Sequence, residues 1–233
     1  MPAVPVAPAE RLQEVLSRIR DAARAAGRPP PALLAVSKVQ APEAVAALAA
    51  AGQAAFGENY VQEAAAKRAA LDPAVDAGLE WHLIGHLQSN KAAVAARTFD
   101  WVQSVDRPGV VAALARHRDP SRPLNVLLQV NVEDEPGKSG CRAEAVAELA
   151  AQVAAEPRLA LRGLMSIPVP HPDPELRRPA FRRMKALFDR LAAQYPSVDT
   201  LSMGMSDDFA IAIAEGATLV RIGTALFGPR RPG

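Results

Sequence analysis

Apolar runs of strand length recur eight times along this chain, at 33–37, 54–59, 80–85, 101–105, 125–132, 161–167, 200–205 and 219–223. A stretch of helical length follows each of the first seven. Strand and helix in strict alternation make parallel strands, because each helix carries the chain back to the edge where the last strand began. Eight such units in 233 residues fit a closed barrel better than an open doubly wound sheet. The expected fold is therefore α/β, a (β/α)8 TIM barrel. Residues 8–26 add a leading helix, with Leu12, Val15, Leu16 and Ile19 on one face and Gly27 at its end, and residues 1–7 ahead of it are expected to be disordered. Asp106 is expected to cap a helix with Pro108 in its first turn, and Ser206-Asp207-Asp208 to open another that Gly216 stops. No linker composition divides the chain, so 1–233 reads as one domain; the proline-rich stretch 168–174 reads as a loop after strand six.

Composition removes several function classes. With 27 basic and 25 acidic residues the net charge is +2, and the arginines are scattered among acids as on a solvated face, which gives no nucleic-acid surface. No apolar run reaches the roughly 20 residues that span a bilayer, and the N-terminus lacks the basic start of a signal peptide. One cysteine, Cys141, excludes an internal disulfide and fits a reducing compartment. The expectation is a cytoplasmic protein without a membrane partner, and monomeric, since no long exposed apolar stripe argues for a dimer.

In a barrel, chemistry belongs where strands end and loops begin. Lys38 follows the apolar run Leu33-Leu34-Ala35-Val36-Ser37, and it is one of five lysines against 22 arginines. An ammonium resists desolvation, so a partly buried amine near another cation shifts toward its neutral, nucleophilic form, which can form an imine with an aldehyde. The competing reading is a strand-end lysine reaching to solvent. Arg221, centred in Leu219-Val220-Arg221-Ile222-Gly223, should not face an apolar helical layer; it points into the barrel mouth, or else meets a carboxylate inside the barrel. Ser206 after strand seven, and Gly223 and Thr224 after strand eight, offer hydroxyls and backbone N–H groups where barrels often hold phosphate. Amine, arginine and phosphate cradle together describe a site for pyridoxal 5'-phosphate (PLP).

At seven places the chain resembles the pyridoxal phosphate homeostasis proteins, relatives of the N-terminal barrel of alanine racemase. These are Leu34-Ala35-Val36-Ser37-Lys38, Phe56-Gly57-Glu58-Asn59-Tyr60, Trp81-His82-Leu83-Ile84-Gly85-His86, Gly137-Lys138-Ser139-Gly140, Arg162-Gly163-Leu164-Met165-Ser166, Ser202-Met203-Gly204-Met205-Ser206-Asp207-Asp208 and Val220-Arg221-Ile222-Gly223-Thr224. They run in order between about residues 10 and 230; Ala210 is a small departure, where a more polar residue is expected. The resemblance implies that Lys38 carries the aldimine and that Arg221 approaches the pyridine nitrogen. It implies that Ser206, Gly223 and Thr224 hold the phosphate, and that Asn59, His82 and Met165 line the cofactor. It also implies PLP and amino-acid homeostasis rather than catalysis, with PLP-dependent apoenzymes as possible recipients. Lys138 as a second PLP site is left open.

Two rivals remain at this stage. One is a racemase or decarboxylase whose second base is His82, His86 or His171; such enzymes add a C-terminal β-domain, for which the residues after Phe227 leave no room, and neither tyrosine, Tyr60 nor Tyr195, is a good base. The other is a Schiff-base aldolase that uses Lys38 without cofactor. His82 and His86 lie about 13 Å apart if both are on one strand, too far to share a metal ion, and are expected to be buried and hydrogen-bonded.

Overall fold

The computed structural model describes residues 7–228. Eight parallel strands close into one barrel in sequence order: β1 (Ala32–Val36), β2 (Ala55–Glu58), β3 (Glu80–Leu83), β4 (Trp101–Val105), β5 (Leu124–Gln129), β6 (Leu159–Met165), β7 (Thr200–Ser202) and β8 (Leu219–Ile222). Closure is direct, with Leu34 of β1 in register with Arg221 of β8. The helices are α1 (Pro8–Ala25), α2 (Pro42–Ala50), α3 (Val61–Ala70), α4 (Pro73–Asp76), α5 (Ala92–Thr98), α6 (Pro108–His117), α7 (Val146–Ala154), α8 (Arg178–Gln194), α9 (Phe209–Ala214) and α10 (Thr224–Phe227). The barrel and its leading helix are those the alternation predicts. Of the stretch expected to be disordered, residues 1–6 lie outside the described residues.

Local chemistry explains the helix starts. Pro8, Pro42 and Pro108 occupy first-turn positions of α1, α2 and α6, where a missing N–H removes no intrahelical bond. Asp106 does not cap α6: the N-cap is Arg107, and the Asp106 carboxylate accepts from the Arg107 guanidinium at 2.6 Å instead. Gly27 and Gly216 follow α1 and α9 with φ of +63° and +106°, as expected for residues that end helices. Strands β3 and β7 end before their apolar runs do, so Ile84, Gly85 and Met205 fall in loops, with His86 just beyond. Gly163 in β6 has φ +145°, and a Cβ there would lie 1.9 Å from the Thr200 carbonyl oxygen. This glycine accommodates the register shift of β6 against β5.

Successive side chains alternate between the two sides of each strand, which divides the core. Outside the barrel, Phe56, Trp81 and Leu83 pack with Val45, Leu48 and Phe99 from the helical layer. Each such side chain contributes about 1.5–3 kcal/mol through burial. Inside, Trp101, Leu127 and Met165 form a separate small cluster. His82, Gln103, Ser202 and Arg221 are buried as well, so the interior holds polar side chains beside this cluster. Among the described residues no helix is long and apolar enough to cross a membrane.

Candidate functional site

The C-terminal mouth of the barrel holds a cavity of about 210 Å³. Its wall includes six of the eight residues expected at the site: Lys38, Asn59, Ser206, Arg221, Gly223 and Thr224. Val36, Gln40, Ile84, Ile167, Met205 and Gly228 complete it. The other two, His82 and Met165, sit one layer deeper. Strand periodicity is the reason: Ile84 stands two residues above His82 and Ile167 two above Met165, and these isoleucines take the wall positions.

Arg221 lies beneath the cavity, 3% exposed. It donates to Ser202 Oγ at 2.7 Å and to the Ser166 carbonyl at 2.8 Å, and among the described residues no carboxylate pairs with it directly. The expectation that it points into the mouth holds, and the alternative of a carboxylate partner inside the barrel does not. Burial pulls its pKa down to about 10, with the charge of Asp208 opposing. At neutral pH it remains a cation.

Lys38 stands two residues beyond β1, in a turn closed by Gln40 N–H on the Ser37 carbonyl at 3.0 Å. Val39, next to it, has φ +58°, a left-handed conformation unusual for a β-branched residue. The Val39 N–H donates to Glu63 Oε1 at 2.5 Å. Behind this turn lies a buried charge cluster. Lys67 Nζ donates to Glu58 Oε1 at 2.5 Å, to the Ser37 carbonyl at 2.7 Å and to Glu63 Oε1 at 3.2 Å. Ser37 Oγ donates to the same Glu58 oxygen at 2.6 Å. Burial pushes the Glu58 carboxyl up, while Lys67 and Ser37 pull it back. Sequence reasoning gave Lys67 no role, although its i,i+4 spacing from Glu63 and the acidic end of β2 were both visible.

The loop that carries Ser206 is braced from outside the cavity. Asp208 accepts from the Met205 N–H and from Arg177, both at 2.6 Å, and Arg177 also donates to the His171 carbonyl at 2.9 Å. Neither Asp208 nor Arg177 was singled out as a site residue. Asn59 is fixed by its neighbour: a Cβ on Gly85 would lie 2.1 Å from the Asn59 carbonyl oxygen, so only glycine permits this approach.

The remaining candidates lie elsewhere. His82 stacks on Trp101, with ring centroids 5.1 Å apart. His86 is exposed rather than buried, 3.3 Å from Ser139 Oγ. His171 is exposed in the loop after β6, where its Nδ1 accepts from the Asp173 N–H. Tyr60 is the N-cap of α3 and Tyr195 the C-cap of α8, so both flank helices rather than lie within them. Lys138 pairs with Glu135 at 2.7 Å and is not on the cavity wall.

Residues 11–231 match the family described as alanine racemase, N-terminal domain. The chain is 51% identical to the pyridoxal phosphate homeostasis protein of Pseudomonas aeruginosa, across 95% of each chain. It is 48% identical to the one from Escherichia coli K12, across 95% of this chain and 96% of the relative. Among solved structures it is similar to PipY of Synechococcus elongatus with PLP bound, at 37% identity and a TM-score of 0.82, covering 95% of this chain and all of that one. With a closed barrel, a lysine and an arginine at its mouth and near-full-length likeness on both counts, the chain belongs to the pyridoxal phosphate homeostasis protein family, on the N-terminal barrel of alanine racemase.

Proposed function

We propose that this protein binds PLP in the cavity at the barrel mouth and serves its homeostasis as a carrier, without substantial catalysis. One observation carries the reading: Lys38, Arg221 and the loops of Ser206 and Gly223-Thr224 converge on a single cavity of about 210 Å³. The donor set fits the cofactor. Ser206 and Thr224 bring hydroxyls, and the first N–H groups of α10 have no intrahelical partners, so a phosphate finds donors there. When bound, PLP supplies an aldehyde open to a primary amine, and Lys38 is the lysine of the cavity wall.

Arg221 supports the carrier reading. A guanidinium has only donors, so a pyridine nitrogen facing it stays an unprotonated acceptor, which weakens the ring as an electron sink. Among the described residues, none of His82, His86, His171, Tyr60 and Tyr195 is on the cavity wall. Losing general-base help lowers a rate by about 10²–10⁴-fold. The reading extends to one domain acting as a cytoplasmic monomer that passes PLP to apoenzymes. In support of the compartment, the sequence has a single cysteine, so the fold uses no internal disulfide.

The test is the absorbance spectrum of the purified protein, followed by incubation with L-alanine, L-serine and L-lysine. A yellow protein that makes no D-isomer, keto acid or amine over many turnovers is expected. A colourless protein that does not take up added PLP sinks the binding claim. Steady turnover lost in Lys38→Ala sinks the carrier claim in favour of a racemase or decarboxylase. Light scattering at a mass above 24.6 kDa would remove the monomer.

A further inference from the structure

A single file of hydrogen bonds crosses the barrel interior below the cavity. Arg221 donates to Ser202 Oγ at 2.7 Å, and Ser202 Oγ donates to Gln103 Oε1 at 2.7 Å. Gln103 Nε2 lies 2.9 Å from His82 Nδ1, and His82 Nε2 lies 2.8 Å from Glu80 Oε1. The four members from Arg221 to His82 are buried, and only Glu80 reaches solvent.

The direction of this file follows from its ends. A guanidinium can only donate and an ionised carboxylate can only accept. Ser202, having accepted from Arg221, is free to donate its proton, and the Gln103 carbonyl takes it. The Gln103 amide then faces His82 Nδ1, which must accept, so the His82 proton sits on Nε2 and points to Glu80. Each link of the file then pairs one donor with one acceptor, and the imidazole is neutral. Were His82 to carry a second proton, Gln103 would have to reverse, and Ser202 would lose its acceptor while still facing Arg221. A second cation would also stand in the file under Arg221. Glu80, Asp100 and the stacked Trp101 are the groups facing the imidazole, with Arg162 lying over Trp101.

We infer that Gln103 is the positioning residue of the site: from the middle of the barrel it orients Arg221 through Ser202 and holds His82 in its neutral Nε2–H form. It is not part of the cavity wall. The inference rests on the proposed PLP reading only for its effect on binding; the proton arrangement can be tested without cofactor.

Nitrogen-15 NMR of the cofactor-free protein at pH 7 should find His82 protonated on Nε2 alone. Gln103→Glu offers carboxylate oxygens to both neighbours, so His82 should there be protonated on both nitrogens at pH 7. Titration with PLP should find Gln103→Leu weaker by about tenfold, the scale of one hydrogen bond lost beside a charge, with thermal unfolding still cooperative. Gln103→Glu, which restores an acceptor for Ser202, should recover most of that loss. If Gln103→Leu does not fold, Ser202→Ala takes its place: binding should weaken while the His82 protonation pattern stays that of wild type. An Nδ1–H tautomer in the wild type, or a His82 unmoved in Gln103→Glu, overturns the proton arrangement. Wild-type affinity in a folded Gln103→Leu or Ser202→Ala overturns the positioning role. A wild type that takes up no PLP, with His82 as expected, overturns the PLP reading and leaves the proton arrangement standing.

Discussion

The ends of β1 and β2 have a lysine on each side, Lys67 from α3 outside and Lys38 from the turn after β1 inside. On the outer side Lys67 is 4% exposed and meets two carboxylates and a carbonyl, with a serine hydroxyl completing the cluster. On the inner side Lys38 faces a cavity whose other cation, Arg221, is held by neutral oxygens. Ser37 and Lys38 are adjacent, as are Glu58 and Asn59; one member of each pair goes outward and one inward. Lys67 is committed to this cluster, which ties α3 to the ends of β1 and β2, while the second Glu58 oxygen, Oε2, stays buried without a hydrogen-bond partner. The comparison teaches that where a lysine sits relative to a cavity separates the two roles: Lys67 is enclosed by its partners, and Lys38 borders space a ligand can enter.

The sharpest way to break this comparison is to remove each lysine in turn. Lys38→Ala should abolish the visible band of added PLP and all borohydride-trapped label at that position, with cooperative unfolding preserved. Recovery of the label on Lys138 or Lys91 after reduction would reassign the inner role. Lys67→Ala should leave the Glu58 carboxylate buried without its cation and cost about 3–5 kcal/mol of stability. A denaturant midpoint within error of wild type would mean that the outer cluster holds nothing.

The outer cluster also admits a finer test. Glu58→Gln together with Lys67→Met keeps the volumes close and removes both charges, and replacing a buried pair in this way is often neutral or gains about 1–4 kcal/mol. The double variant should therefore be clearly more stable than Lys67→Ala and should still trap PLP on Lys38. Loss of trapping in a well-folded double variant would show the two sides of the wall to be coupled.

A third test uses pH on the barrel interior. Burial pulls the His82 pKa below its ordinary value of 6.5, with Glu80 and Asp100 opposing. The unfolded chain therefore takes up a proton near pH 6.5 that the folded chain refuses until lower pH. Stability present above that window is lost as pH falls from about 6.5 toward the folded value, with a slope of at most about 1.4 kcal/mol per pH unit for one proton. His82→Gln should flatten this slope. An equal slope in both proteins would place the proton uptake elsewhere.

Most of the fold was legible because its signal is repeated: eight apolar runs with helices between them leave few other topologies. Six of the eight candidate residues meet on one cavity wall for a related reason, since they sit at strand ends or in the loops beyond, where a barrel puts its chemistry. His82 and Met165 lie one layer below that wall because a strand's period gives the face but not the depth, and depth is fixed by where the loop begins. Asp106 was misread as a cap because a sequence cannot tell which neighbour a carboxylate prefers. Gln103, Asp208 and Arg177 were illegible for a deeper reason: their partners lie 99, 31 and 31 residues away in chain order, at Ser202, Arg177 and Asp208. No local pattern marks such pairs.

The smallest expected effect concerns the turn where the two sides of the wall meet. Val39 is 63% exposed, so its side chain gains little from packing, yet its φ of +58° is a conformation that L-residues avoid. Its N–H is bonded to Glu63, which also contacts Lys67, so the outer cluster holds the strained residue beside the inner lysine. Left-handed backbone costs an ordinary residue about 1–2 kcal/mol, and asparagine bears it better. Val39→Asn keeps the N–H and should raise stability by about 1 kcal/mol, read as a shifted urea midpoint at unchanged slope. Labelling of Lys38 should not change, because the turn keeps its shape. A lower midpoint would mean that the valine side chain supports the mouth through contacts stronger than its exposure implies. A raised midpoint with lost labelling would mean that the strain itself sets the position of the amine.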